Sequence, residues 1–314
     1  MDKKKISIIL CCYNESVNIP IIYEAILSNI KLLENKYDFE IIFVNDGSSD
    51  LTEEAIEKIC QINPSVFYVE FSRNFGHQNA LKAGLDYSSG DCIISMDSDM
   101  QHPPHIIFQF LEKWEEGYDI VYTRRMVDGN LPLMKRLTSY LFYKFLNLLA
   151  EIELEVGTAD FRLMSRNAVD VIAGIKGQDL FIRGLVKWIG FKQYGIDYMP
   201  AKRLNGKSKY NMKKMVRLGT QGILSFSTKP LNIALYIGFI VAVLSLLCMP
   251  YAFFSYFFTD RENGWASLIC VVSFLGGLQL FILGIIGLYL GRVFNQVKSY
   301  PAYIVKRTNL SNII

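Results

Sequence analysis

The chain has 314 residues, 51% of them apolar, and a formal net charge of +3. That length allows one large domain or two smaller ones, and so small a net charge leaves no electrostatic footprint for nucleic acid, so none is expected as a partner. Its six cysteines include no C-x-x-C spacing, which excludes a disulfide framework or a zinc ribbon and leaves them as small buried hydrophobes.

The opening MDKKKISIIL does not read as a signal peptide, because its apolar run is short and breaks at Tyr13-Asn14-Glu15. Ile6–Cys12 predicts a buried strand and Ile19–Leu33 a helix. A second strand over Phe39–Val44 precedes Asn45-Asp46-Gly47-Ser48 and a helix through Thr52–Cys60. Val66–Phe71 predicts a third strand and Gln78–Tyr87 a helix. Cys92–Met96 predicts a fourth strand, Pro104–Glu116 a helix, and Asp119–Tyr122 another strand. Such alternation implies an α/β fold, a parallel-rich sheet flanked by helices. Ligands bind beyond the carboxyl ends of strands in open sheets of this kind. Four polar clusters fall there: Tyr13-Asn14-Glu15, Asn45-Asp46, Ser72-Arg73-Asn74 and Asp97-Ser98-Asp99. One would be a turn; four at one edge read as a site.

Two later segments, Leu131–Leu149 and Asn211–Phe226, mix large apolar residues with Lys135, Arg136, Lys144 and with Lys213, Lys214, Arg217. Basic amphipathic helices of this kind lie in a membrane interface or pack as surface helices on a core. No charge occurs between Lys229 and Asp260, nor between Glu262 and Arg292. Each run exceeds the ~20 residues needed to cross a bilayer, predicting a two-helix transmembrane hairpin. Basic residues gather on both outer flanks, which places the N-terminal part and the C-terminal tail in the cytoplasm. The expected organisation is a catalytic domain over 1–210, a juxtamembrane helix over 211–229, two spans within 230–292 (231–258 and 265–291), and a cytoplasmic tail over 293–314. Gly277, Gly284 and Gly291 recur every seven residues. Such a face admits close approach of the other span or of a second subunit in a homo-oligomer.

At an extended strand end, residues i and i+2 point the same way, so Asp97 and Asp99 would face one cation together. Their hard oxygens suit Mg²⁺ or Mn²⁺, and Gln101 would add an amide oxygen if the chain stays extended. His102 and His105 flank prolines and read as local structure or outer support. Glu15 and Asp46 suit hydrogen bonds from a base or ribose, although carboxylates at such positions commonly cap helices. Capping is assigned to Ser48-Ser49-Asp50, leaving Asp46 for a ligand.

The ordered set Tyr13-Asn14-Glu15, Asn45-Asp46-Gly47-Ser48, Asp97-Ser98-Asp99-Met100-Gln101-His102-Pro103, Asp160-Phe161-Arg162-Leu163 and Gly206-Lys207-Ser208-Lys209-Tyr210 resembles the family-2 glycosyltransferases. More narrowly it is similar to the polyisoprenyl-phosphate glycosyltransferases, a group that includes dolichol-phosphate mannose synthase and bactoprenol glucosyltransferases. The resemblance covers the whole chain, spans included. It implies a GT-A-like fold and inverting transfer of a hexose from a nucleotide sugar, UDP-glucose as a first guess, to undecaprenyl or dolichyl phosphate at the cytoplasmic face of a bacterial inner membrane. It further implies that Asp97, Asp99 and Gln101 hold the metal and donor diphosphate. Tyr13, Asn14, Glu15 and Asp46, joined by Arg73 and Ser98 at the same edge, would hold the donor, with Asp160 near the reacting centre. Cys11-Cys12 departs from the family's usual aliphatic residue and proline, and Gln178-Asp179 departs from its usual polar pairs.

An alcohol acceptor needs a general base, whereas a phosphate monoester, with a second pKa of about 6, arrives charged. For that acceptor Asp160 need only orient groups, and arginines suit its phosphate. Arg125, Arg136 and Arg203 are the candidates, with Arg125, Arg203 and Lys209 also set beside Asp160 for catalysis. Arg136 suits anionic headgroups equally well. The rival readings are a membrane glycosyltransferase acting on a diacylglycerol or a polysaccharide, and a non-catalytic nucleotide-sugar-binding membrane protein.

Overall fold

The computed structural model describes residues 3–126, 149, 157–177, 180–200, 222, 225–258 and 265–310. Its first half alternates as expected: β1 (Lys4–Cys12), α1 (Asn18–Ile30), β2 (Tyr37–Asn45), α2 (Thr52–Ile62), β3 (Val66–Phe71), α3 (His77–Tyr87), β4 (Cys92–Asp97), α4 (Ile106–Glu115) and β5 (Ile120–Arg125). There follow β6 (Thr158–Ser165), α5 (Arg166–Gly174), α6 (Ile182–Trp188) and β7 (Gln193–Tyr198). Two long helices, α7 (Lys229–Phe258) and α8 (Trp265–Val297), precede a last strand, β8 (Val305–Thr308).

The continuous apolar runs become central strands because helices cover both faces of the sheet. Ile6, Ile8 and Leu10 of β1 pack with Ile19, Ile22 and Phe110 from α1 and α4. Ile9 and Cys11 join the opposite core with Ala80 of α3, Val169 of α5 and Ile182 of α6. A strand buried on both sides has no polar face, so its sequence shows no alternation.

The described strands form one mixed sheet in the order β7-β5-β6-β4-β1-β2-β3-β8. β3, β2, β1 and β4 are parallel neighbours, so their carboxyl ends share an edge. β6 is inserted antiparallel between β4 and β5, a departure from the simple alternation. Running against its neighbour, β6 brings its own amino end to that shared edge. Arg162 stands opposite Ser95, and Ser95 Oγ donates to the Asp160 carbonyl at 2.7 Å.

Part of the expected tail is folded into the sheet as well. β8 pairs antiparallel with β3. There the buried Glu70 accepts from Lys306 Nζ at 2.8 Å and Arg307 Nε at 3.0 Å, and Tyr303 stacks on Phe71 at 5.0 Å. In α8, Phe274–Val297 is 24 residues long with a mean hydropathy of 2.0 and is not buried against the rest of the chain. It is therefore long and apolar enough to cross a membrane. A Cβ on Gly277, Gly284, Gly287 or Gly291 would meet no described atom within 4 Å, so the glycine face is open. The expected amphipathic segments lie outside the described residues, apart from Leu149, Gly222, Ser225 and Phe226.

Candidate active site

Hydrogen bonds tie the polar turns at the shared strand edge to one another. After β1, Asn14 adopts left-handed backbone (φ 55°). Its N–H donates to Ser48 Oγ at 3.0 Å and its Oδ1 accepts from the Ser49 N–H at 2.8 Å. The Glu15 N–H donates to Thr52 Oγ1 at 2.9 Å, and its carboxylate accepts from Asn18 Nδ2 at 2.5 Å. Asn14 and Glu15 thus join the first turn to the second, while Tyr13 remains 39% exposed at the edge.

Capping beside the second turn falls to Asp50, which accepts from the Thr52 N–H at 3.1 Å. Asp46 is buried and accepts from the Phe75 N–H at 2.6 Å, the Gly76 N–H at 3.0 Å and Asn74 Nδ2 at 2.9 Å. It shapes the Arg73–Gly76 turn that ends at His77, and burial raises its carboxyl to about 6 despite those donors. Gly47 allows this approach: its φ is +61°, and a Cβ there would lie 2.3 Å from the Arg73 carbonyl carbon. Arg73 itself lies over the Phe75 ring at 4.2 Å.

β4 ends at Asp97, whose side chain is about one-third exposed (35%). Asp99 is buried and its Oδ1 accepts from the Gln101 N–H at 3.1 Å. Met100 between them is left-handed, with φ 63°. The chain therefore does not stay extended, and the condition under which Gln101 would join the two carboxylates fails. Its Oε1 instead accepts from Arg125 Nη2 at the end of β5, which sets Arg125 at the rim of the acidic turn. Ser98 points inward, its Oγ donating to the Cys11 carbonyl at 3.0 Å. His102 lies flat against Phe161 and its Nδ1 accepts from the Asp97 N–H at 3.0 Å. Burial lowers its pKa, so it is a neutral support for the backbone that carries Asp97.

Asp160, at the amino end of β6, is the most heavily held group. Its Oδ1 accepts from Arg162 Nη2 at 2.8 Å and from Arg183 Nε at 2.9 Å. Its Oδ2 accepts from Arg183 Nη2 at 2.7 Å and lies 3.2 Å from His77 Nε2. Burial alone would raise this carboxyl, but the bidentate Arg183, with His77 and Arg162, holds it well below the usual carboxylate range. His77 Nε2 is also 3.6 Å from Asp97 Oδ1. Burial opposes its charge, yet Asp97 and Asp160 outweigh that and hold the imidazole up to about 9. It is therefore protonated at neutral pH, between the last residue of β4 and the first turn of β6.

The structure thus gathers Tyr13, Asn14, Glu15, Asp46, Arg73, Asp97, Ser98, Asp99, Gln101, Arg125 and Asp160 at one edge. Arg136, Arg203, Lys209 and the Gln178-Asp179 pair lie outside the described residues. Sequence reasoning missed the roles of His77, Arg162 and Arg183. Arg162 carried a signal, since a charge between Phe161 and Leu163 in an apolar strand requires a partner. For His77 the only sign was that the cluster after β3 continues through Gly76 to the start of α3.

Among the described residues no group of three or more His, Cys, Asp and Glu is arranged to hold a metal ion by itself. Two carboxylates fit a Mg²⁺- or Mn²⁺-like ion, which takes few protein ligands and completes its shell with water and phosphate oxygens.

Residues 7–172 match the family model described as Glycosyl transferase family 2. The Uncharacterized glycosyltransferase YkcC of Bacillus subtilis (strain 168) is 40% identical over 96% of this chain and 93% of its own length. A prophage-derived bactoprenol glucosyl transferase of Shigella flexneri is 38% identical, covering 98% of this chain and 99% of its own. Among solved structures, a mannosyltransferase from Pyrobaculum calidifontis in complex with GDP-Man and Mn²⁺ has a TM-score of 0.48 and 15% identity, over 92% of this chain and 88% of its own. A prophage bactoprenol glucosyl transferase homolog of Escherichia coli (strain K12) is 38% identical over 96% of this chain and 99% of its own.

Proposed function

The chain belongs to glycosyl transferase family 2, and from that premise we propose that it transfers a hexose from a nucleotide sugar to a polyisoprenyl phosphate at the inner face of a membrane. The observation that carries this reading is the state of the acid–base groups at the strand edge. Asp160 is depressed and held by two arginines and a histidine. His77 lies between Asp160 and Asp97 at 3.2 and 3.6 Å, and Asp46 has both oxygens turned to the Arg73–Gly76 turn. None of these described groups is poised to take a proton from an alcohol. A phosphate monoester is already charged at pH 7 and needs no such base.

The step then balances without proton transfer. An oxygen of the acceptor phosphate forms the new bond to the anomeric carbon from the face opposite the leaving group. The bond from that carbon to the donor diphosphate breaks, and its electron pair leaves with the nucleoside diphosphate, inverting the centre. Asp97 and Asp99 would hold a Mg²⁺ or Mn²⁺ ion, which when bound offsets the charge of the diphosphate, and Gln101, engaged by Arg125 in the adjoining turn, would border it. Tyr13, with the turns that Asn14, Glu15, Asp46 and Ser98 fasten, borders the nucleoside, and Arg73 flanks it. Arg125, at the rim of the acidic turn, would meet the acceptor phosphate, and Arg136, Arg203 and Lys209, which lie outside the described residues, are the further cations proposed for it. UDP-glucose remains the first donor to test.

Two membrane spans, α7 and α8, anchor the enzyme in this reading, and the homologues named for bactoprenol support a bacterial inner membrane. The return of β8 to the sheet supports a single side for the segments before α7 and after α8, and the basic flanks support the cytoplasm for that side.

The test offers purified protein labelled UDP-glucose and a panel of other nucleotide sugars with Mn²⁺, against polyisoprenyl phosphate, the corresponding free polyisoprenol, and diacylglycerol. Label should enter lipid only with the phosphate. Product from the free alcohol or the diacylglycerol, or none from any donor, would overturn the reading.

A further inference from the structure

Ser225, Phe226 and Ser227, just ahead of α7, lie between α6 and the last turns of α8. On one side, Tyr289 Oη of α8 donates to the Ser227 carbonyl at 2.8 Å, and Arg292 donates to Ser225 Oγ. On the other, Phe226 presses on α6: a Cβ on Gly184 would lie 2.4 Å from its ring. These contacts border an open cleft of about 140 Å³, smaller than the roughly 300–1,000 Å³ of a pocket that encloses a whole ligand and suited to a headgroup whose chains stay outside. Leu180, Phe181, Leu185 and Phe226 form its apolar wall. Its charged members among the described residues are both cations, Lys176 and Arg292.

Position narrows the ligand class. Arg292 falls near the end of the apolar stretch Phe274–Val297. It is also the first charged residue after Glu262, so it stands where the apolar run of α8 gives out, at the edge of a hydrocarbon core. The cleft therefore opens at the depth of lipid headgroups. We infer that it binds the headgroup of an anionic phospholipid, with the phosphodiester between Lys176 and Arg292 and the glycerol and upper acyl carbons along the apolar wall. A zwitterionic headgroup would set its own cation against these two. The site is separate from the reacting centre. Leu185 is two residues from Arg183, about 200° around the helix, so the Leu185 wall of the cleft and Asp160 lie on opposite sides of α6. A lipid seated there would brace the helix whose Arg183 grips Asp160.

The full-length protein in mild detergent is incubated with an equimolar mixture of phosphatidylglycerol and phosphatidylcholine, and retained lipid is read by native mass spectrometry. Phosphatidylglycerol should be retained preferentially. Lys176→Gln and Arg292→Gln should each weaken retention about fivefold, and the double variant about thirtyfold, as expected for ~1 kcal/mol per basic residue. Lys58→Gln, an exposed charge on α2, should leave retention unchanged. Because Arg292 also bonds Ser225, the exposed Lys176→Gln is the decisive single variant should Arg292→Gln misfold. Equal retention of both lipids, or retention indifferent to Lys176→Gln, overturns the inference. So does one-for-one displacement of phosphatidylglycerol by polyisoprenyl phosphate, which would assign the cleft to the acceptor. Retention requires no turnover, so this result stands apart from the outcome of the transfer assay.

Discussion

Asp160→Asn removes one negative charge from among Arg162, Arg183 and His77 while leaving side-chain size unchanged. Arg162 sets the magnitude. Its side chain is 1% exposed and its Nε has no hydrogen-bond partner among the described residues, so without the carboxylate its charge faces a neutral amide in a dry setting. Removing one partner of such a pair costs about 3–5 kcal/mol. Arg183 and His77 are 29% and 42% exposed, so water screens them and they add little. At about 2–4 °C per kcal/mol for a unit of this size, the melting temperature should fall by roughly 6–20 °C. The pH dependence follows from the depressed carboxyl. Its stabilisation is present above the unfolded value of about 3.9 and is lost as pH falls through the lower folded value. The gap between wild type and variant should therefore hold from pH 7 to about 5 and close below about 4. Thermal unfolding of the detergent-solubilised protein across pH, with transfer measured in parallel, reads both quantities. A variant that melts with the wild type yet transfers nothing would refute the argument, because the carboxylate would then act on substrate rather than anchor the site.

Asp99→Ala should lower transfer by about 10²-fold or more with the fold retained by circular dichroism; near-normal activity would remove it from the metal site. Gly47→Ala forces a Cβ onto left-handed backbone against the Arg73 carbonyl, a strain of about 1–2 kcal/mol before the turn shifts. The melting temperature should drop and the donor KM rise, and no change in either would mean that this turn does not shape the donor site. Truncation after Ser299 removes β8 and leaves buried Glu70 without Lys306 and Arg307. Faster cleavage within the sheet domain under limited proteolysis is expected, and an unchanged digestion profile would remove β8 from the folded unit.

The strands from β1 to β4 were legible because each is a short apolar run closed by turn residues, a pattern written within a dozen positions. The convergence of Tyr13, Asp46, Asp97 and Asp99 followed from it, since parallel strands carry their ends to one edge. The turn ahead of Gln101 was not legible because left-handed Met100 bends the chain, and nothing in a methionine announces positive φ. The strand at 305–308 escaped notice because its two basic residues suit a tail until Glu70 of β3 lies beside them.

Local physics, repeated along the chain, determined the α/β class, the apolar C-terminal helices and the acidic turn, because periodicity and turn chemistry act between near neighbours. Only the tertiary structure decided what Asp160 does. Its partners His77, Arg162 and Arg183 come from α3, β6 and α6, and they meet because β6 enters the sheet antiparallel beside β4. Strand order depends on which faces bury one another across the whole domain. A carboxylate that the sequence placed only near the reacting centre becomes, once two arginines and a histidine surround it, a fixed negative charge that holds those elements together.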